Sequence, residues 1–236
     1  SANDSSYWTG PLTTSTLIQG PIGVNCISGG NAGVVYTDDL ESSNSWTGTF
    51  GTGSTAGVWN VKTGPTGSIG TGPYGAHSGN NYFYFETSTG GGTSGAIVSP
   101  AIDLNSAAGD AELSFWLHAF GATTGTLDVG IATSASGPFN TIFTTSGQQQ
   151  TASSDPYINV GINIASYIGQ TIYLQFDYTR GASFTGDIAI DLVEVISCFN
   201  CPGPSNIQAF NTFCNYNNSP ISWHFLWDIF FNFFLF

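Results

Sequence analysis

The chain has 236 residues, of which only Lys62 and Arg180 carry a fixed positive charge against fifteen Asp and Glu, giving a formal net charge of −13. Binding a phosphate backbone requires Lys and Arg to displace condensed counterions, so the composition excludes a nucleic-acid partner, and the same deficit argues against docking on anionic lipid. Charged residues make up 7% of the chain and aromatic ones 14%, with 31 Gly and 10 Pro, a balance that builds a large core from short strands and tight turns rather than a disordered chain.

In chain order, residues 1–35 read as an irregular lead-in rich in Ser, Thr and Gly, with Leu17-Ile18 and Val34-Val35-Tyr36 as its short strands. From Gly48 to Tyr74 the chain is broken by Gly or Pro every few residues and reads as long loops holding Trp59. Strands are predicted over 81–86, 95–100, 111–119, 126–131, 139–144, 158–164, 170–178 and 187–195. Leu113, Phe115 and Leu117 alternate with Glu112, Ser114, Trp116 and His118, and Ile172, Leu174 and Phe176 alternate with Tyr173, Gln175 and Asp177. That period of two places one set inside a sandwich and the other in solvent. Eight strands at this spacing, with no helical period, predict an all-β, two-sheet antiparallel sandwich over 36–197.

After Val195 the composition changes. Residues 198–236 form a Cys/Pro linker and an apolar end, Ile221 to Phe236, too short and too interrupted by His224, Asp228 and Asn232 for a membrane helix. It suits a buried strand or a segment that pairs with another chain. Cys198-Phe-Asn-Cys201 has the spacing of a zinc half-site or a redox pair, but there is only one such pair, to be completed by Cys214 and His224. Disulfides in an oxidising compartment are the better reading for the four cysteines, with connectivity open. Together with the near absence of Lys, this predicts a secreted or cell-surface protein.

Six segments in a fixed order carry a resemblance. They are Asp39-Leu-Glu41 with Trp46; Trp59 with Thr71-Gly-Pro73; Ala76-His-Ser-Gly-Asn-Asn-Tyr-Phe-Tyr-Phe-Glu86; Ala96-Ile-Val-Ser-Pro100; Ala111 to Gly121 with Gly125-Thr-Leu-Asp-Val129; and Gly186-Asp-Ile-Ala-Ile-Asp-Leu192. Together they resemble the MAM domain, the extracellular jelly-roll module of meprins, neuropilins and receptor tyrosine phosphatases, in a cysteine-poor form that looks bacterial. Residues 201–223 resemble the opening of a fibronectin type III module. The family's second Asp after the last strand's first is Leu192 here, and most of its cysteines are missing from the matching stretch. The resemblance implies a cation site joining the first strand to the last, at Glu41 and Asp191, with Asp39, Asp187 and Ser78 as further candidates.

The residues make a separate case for that cation. Carboxylates converging in apolar strands without Lys or Arg repel one another unless they are protonated, bridged by a metal or bonded to backbone N–H groups. Calcium, held by oxygen ligands in a structural role, is the cofactor to look for.

No catalytic arrangement is visible. Glu41, Glu86, Glu112 and Glu194 are scattered, without the paired spacing of a glucanase, and His77, His118 and His224 follow no Gly-x-Ser-x-Gly elbow. The expected function is therefore non-catalytic: adhesion or recognition of protein or glycan at a cell surface. One alternative is a self-assembling filament subunit that donates a strand from 221–236 or 1–35. Another is a carbohydrate-binding module, for which Trp46, Trp59, Tyr74 and Trp116 are the stacking candidates, although burial in the core is the commoner fate of such rings.

Overall fold

The computed structural model describes residues 23–26, 30–42, 45–52, 54–88 and 91–200. The expectations for Leu17-Ile18, for the fibronectin-like stretch and for a self-associating segment in 221–236 lie outside these residues, as does most of the alternative segment 1–35. In chain order the strands are β1 Gly30–Asp38, β2 Thr47–Gly48, β3 Trp59–Thr63, β4 Asn81–Phe85, β5 Ser94–Val98, β6 Ile102–Asp103, β7 Ala111–Ala119, β8 Thr126–Ala132, β9 Asn140–Ser146, β10 Ile158–Asn163, β11 Thr171–Thr179 and β12 Ile188–Asn200. One short 3₁₀ turn, Ala165–Tyr167, follows β10.

Two antiparallel sheets result. The first runs β10-β7-β12-β4-β3, with β1 alongside the second half of β12, and the other runs β2-β5-β11-β8-β9, with β6 on β11. Inward residues at alternate positions fill the space between them: Leu113, Phe115 and Leu117 of β7 and Ile188 and Ile190 of β12 face Leu127, Val129 and Ile131 of β8 and Ile172, Leu174 and Phe176 of β11. Trp46 stacks on Phe176 with ring centroids 5.4 Å apart, and Trp59, fully buried, donates its indole N–H to the Gly95 carbonyl at 2.8 Å. Buried aromatic bulk of this kind supplies most of the favourable free energy of folding. The sandwich expected from the alternation is the sandwich observed.

Four features differ from expectation. β3 lies within the Gly48–Tyr74 stretch assigned to loops; its five residues turn Trp59 and Val61 inward, a pattern too short to show among so many turn residues. β1 starts inside the expected lead-in, and β12 continues to Asn200, past the expected end of the sandwich. The polar side of β7 is not in solvent: Glu112, Ser114 and His118 are buried, because the β3–β4 and β9–β10 connections and residues 23–26 fold over that face. Cys26 and Cys198, in contrast, follow the disulfide reading: they are bonded to each other, so Cys198 offers no thiolate for zinc.

Among the described residues no helix is long and apolar enough to cross a membrane. Within β12, the four residues from Asp191 to Glu194 oppose the three from Trp116 to Ser114 on β7, and Leu192 takes the left-handed backbone conformation with φ 43°. This bulge resets the alternation. Asp191 then points outward while Val193 and Val195 return to the core.

Candidate recognition site

Residues 64–80, which join β3 to β4, cross the outer face of the first sheet and are fastened to it along their length. A small second core lies beneath them: Tyr82 and Tyr84 of β4, Ala189 of β12 and Tyr157, with Ala76 and Trp116 packed against it. At one end of the loop, the Thr71 hydroxyl donates to the Phe120 carbonyl at 3.0 Å and accepts the Asp187 N–H at 2.8 Å. Gly72, with φ 64°, donates its N–H to the same carbonyl at 2.9 Å, and a Cβ there would strike the Thr66 side chain. In the middle, the Tyr74 N–H reaches the Ser153 carbonyl at 3.1 Å, and the Tyr157 hydroxyl donates to the Gly75 carbonyl at 2.9 Å.

The other end is held by carboxylates. Asp191 Oδ2 accepts the His77 and Ser78 N–H groups at 2.8 and 3.0 Å, and its Oδ1 accepts that of Leu192 at 2.7 Å. Glu41 Oε1 accepts the N–H groups of Asn80 and Asn81 at 2.7 and 2.6 Å. Between them sits Gly79, φ 60°, where a Cβ would overlap the Glu41 carboxyl. The His77 ring lies flat on Trp116, with centroids 3.6 Å apart. These contacts set the charges. Burial pushes the Asp191 carboxyl above the usual range, opposed by the N–H groups of Ser78, Leu192 and His77, while the Asn81 and Asn80 N–H groups hold Glu41 below it.

Of the five candidate metal ligands, then, Glu41, Asp191 and Ser78 meet at one turn, Ser78 through its backbone N–H. Asp39 is adjacent and shapes the chain by accepting the Glu41 N–H at 3.1 Å. Asp187 is elsewhere, on Thr87, whose N–H it accepts at 2.9 Å. Both Asp191 oxygens and Glu41 Oε1 accept backbone N–H groups, and Glu41 Oε2 faces the Asn80 side-chain amide at 3.5 Å. Among the described residues no group of three or more His, Cys, Asp and Glu converges to hold a metal ion.

The anchored loop leaves two large side chains in solvent: Ile69 is 94% exposed and Tyr74 69%. They border an open groove of about 210 Å³, lined also by Pro65, Thr66, Ser68 and Ser153, with hydroxyls and apolar surface and no charged side chain. Of the four aromatic stacking candidates, Trp46 and Trp59 are in the core and Trp116 lies under His77, so Tyr74 alone is presented. Tyr157 and Ser153, which complete the site, carried no signal in the sequence; they are brought here by the β9–β10 connection.

Two antiparallel sheets with a covered outer face and an acid-anchored loop define a jelly-roll β-sandwich domain. The family model for the MAM domain, meprin/A5/mu, matches residues 36–202, and the chain belongs to that family. Among solved structures, the K3 cleaved adhesin domain of Lys-gingipain from Porphyromonas gingivalis W83 is similar at 15% identity, over 71% of this chain and 99% of that one, with a TM-score of 0.49. The K1 domain of the same protein is similar at 16% identity, over 70% and 96%, with a TM-score of 0.45. The Clostridium thermocellum xylanase 10B CBM22-1–GH10 modules match at 13% identity, over 77% of this chain and 30% of that one, with a TM-score of 0.42.

Proposed function

We propose that this protein is a non-catalytic extracellular recognition module that takes a protein or glycan ligand at the groove beside Tyr74 and Ile69. The observation that carries the reading is the pairing of exposure with fixation. Large apolar side chains left in water cost free energy, and a loop held by carboxylates and hydroxyls presents them in one geometry, which lowers the ordering cost of binding. A groove lined by hydroxyls and apolar groups suits a ligand surface without net charge. Membership of the MAM family and the Cys26–Cys198 disulfide support an oxidising, extracellular setting. The non-catalytic reading is supported by the side chains around the groove, since the Asp191 carboxylate at the loop's far end is occupied by backbone donors and His118 is sealed beneath the β9–β10 connection.

The test is a binding screen of the full chain against neutral soluble polysaccharides by affinity electrophoresis, and against immobilised cell-surface glycoproteins, with Tyr74→Ala run alongside. The expected result is a ligand whose affinity falls about tenfold or more in Tyr74→Ala, with the melting temperature unchanged because the ring is exposed. Ligand binding that survives unaltered in the Ile69→Ser, Tyr74→Ala double variant contradicts the proposal.

A further inference from the structure

We propose that Glu86 and Asp187 form a second, buried site, built to hold a hard divalent cation of the calcium class. Asp187 is fully buried and Glu86 is 4% exposed, both on the outer side of the first sheet. Asp187 Oδ1 accepts the N–H and hydroxyl of Thr87 at 2.9 and 2.8 Å, while Oδ2 has no hydrogen-bond donor among the described residues. Even the hydroxyl bond is contested, because Thr87 Oγ1 has a single proton and also lies 3.0 Å from the Phe184 carbonyl. Glu86 receives the Tyr84 hydroxyl at 3.0 Å and the Ser88 N–H at 2.9 Å.

Neither basic residue of the chain is bonded to the pair, and Lys62 acts on Asp187 only as a nearby charge. Arg180 spends its guanidinium on the Thr87 and Ser88 carbonyls at 2.7 and 2.9 Å, and Lys62 lies over the Tyr84 ring, 5.8 Å from its centroid. Buried carboxylates without a counter-charge are strongly unfavourable, and an unmet lone pair on a fully buried oxygen marks where the missing positive group belongs. Burial, followed by the charge of Glu86, pushes the Asp187 carboxyl up to about 7 against the Thr87 donors and the Lys62 charge, so at mildly alkaline pH the buried pair carries an excess of negative charge. The surrounding donor atoms are all oxygen, from carboxylate, phenol and hydroxyl, which selects a hard ion rather than zinc or copper. The contrast with Glu41 and Asp191 is direct, since those carboxylates are already met by backbone N–H groups.

The experiment uses the full chain, stripped with EDTA and titrated with CaCl₂ at pH 8, read by calorimetric binding and by thermal unfolding. In the wild type, calcium at a hundredfold excess over Kd should raise Tm by about 5 to 10 °C. Asp187→Asn should abolish that rise while melting, in EDTA, no lower than the wild type, because it removes the uncompensated charge. Glu86→Gln should weaken calcium binding tenfold or more, and it decides the question if Asp187→Asn does not fold. Asp191→Asn should keep the calcium response. A wild type indifferent to calcium overturns the proposal in favour of a bound proton, and a response kept by Asp187→Asn and Glu86→Gln but lost in Asp191→Asn overturns it in favour of the Glu41–Asp191 turn.

Discussion

Asp191 exchanges water for the backbone N–H groups of His77, Ser78 and Leu192, and charge-assisted bonds of this kind are the stronger class. Because the freed amides of His77 and Ser78 sit at the surface and can rehydrate, Asp191→Ala should cost about 2 kcal/mol rather than more, measured by denaturant unfolding. His118 shows the opposite situation. Its ring is fully buried against Tyr157, with centroids 5.2 Å apart, and among the described residues neither nitrogen makes a hydrogen bond of good geometry, although the Ala152 and Asp155 backbone lies close by. Burial pulls its pKa down to about 4, with Asp155 and the backbone of Ala152 and Asp155 opposing. The unfolded imidazole binds a proton at a higher pH than the folded one, so the contribution of neutral His118 is complete above about 6.5 and is lost as pH falls through the folded value. Over that interval the wild type should lose about 3 kcal/mol relative to His118→Gln. Equal slopes of stability against pH in the two proteins would refute the assignment.

At the scale of elements, the bulge in β12 turns a strand into a mount for the loop. The apolar residues Ile188 and Ile190 and then Val193 and Val195 change parity, a break visible in the sequence that marks an extra residue between them. A left-handed backbone is costly for a side chain branched at Cβ, so Leu192→Val should destabilise by about 2 kcal/mol and Leu192→Asn by less than about 0.5 kcal/mol, compared by thermal unfolding. Strands β7, β8, β10 and β11 were legible because each alternates over six or more residues. β3 was not, since its two inward residues, Trp59 and Val61, cannot establish a period among glycines. The outer side of β7 was misread for a different reason: alternation shows which residues share a face, and does not show that a distant loop covers it.

For the molecule as a whole, composition was the most informative reading, since two basic residues leave the acidic ones to find donors in the backbone. The family pattern singled out Glu41, Asp191, Asp39, Asp187 and Ser78, of which Glu41, Asp191 and Ser78 meet at one turn; the pattern could not show that N–H groups would converge on the two carboxylates. Tyr74 was named without a means of separating it from the buried Trp46 and Trp59 and the half-buried Trp116, because exposure is a property of the assembled fold. The Cys26–Cys198 bond closes a sequence separation of 172 residues and ties residues 23–26 to the end of β12. Reducing it, or Cys26→Ser, should lower stability by about 2 to 5 kcal/mol without unfolding the sandwich core, as judged by near-ultraviolet circular dichroism.

The central claim is that the Asp191 and Glu41 carboxylates fix residues 77–81 so that the same loop can present Tyr74 and Ile69. Amide hydrogen exchange, resolved by residue, tests it most directly. The N–H groups of His77, Ser78, Asn80 and Asn81 should exchange slowly in the wild type although their residues lie at or near the surface, with His77 and Ser78 losing protection in Asp191→Ala and Asn80 and Asn81 in Glu41→Gln. Exchange of all four at unprotected rates in the wild type would contradict the account, because a loop that opens freely cannot hold a recognition surface in one geometry.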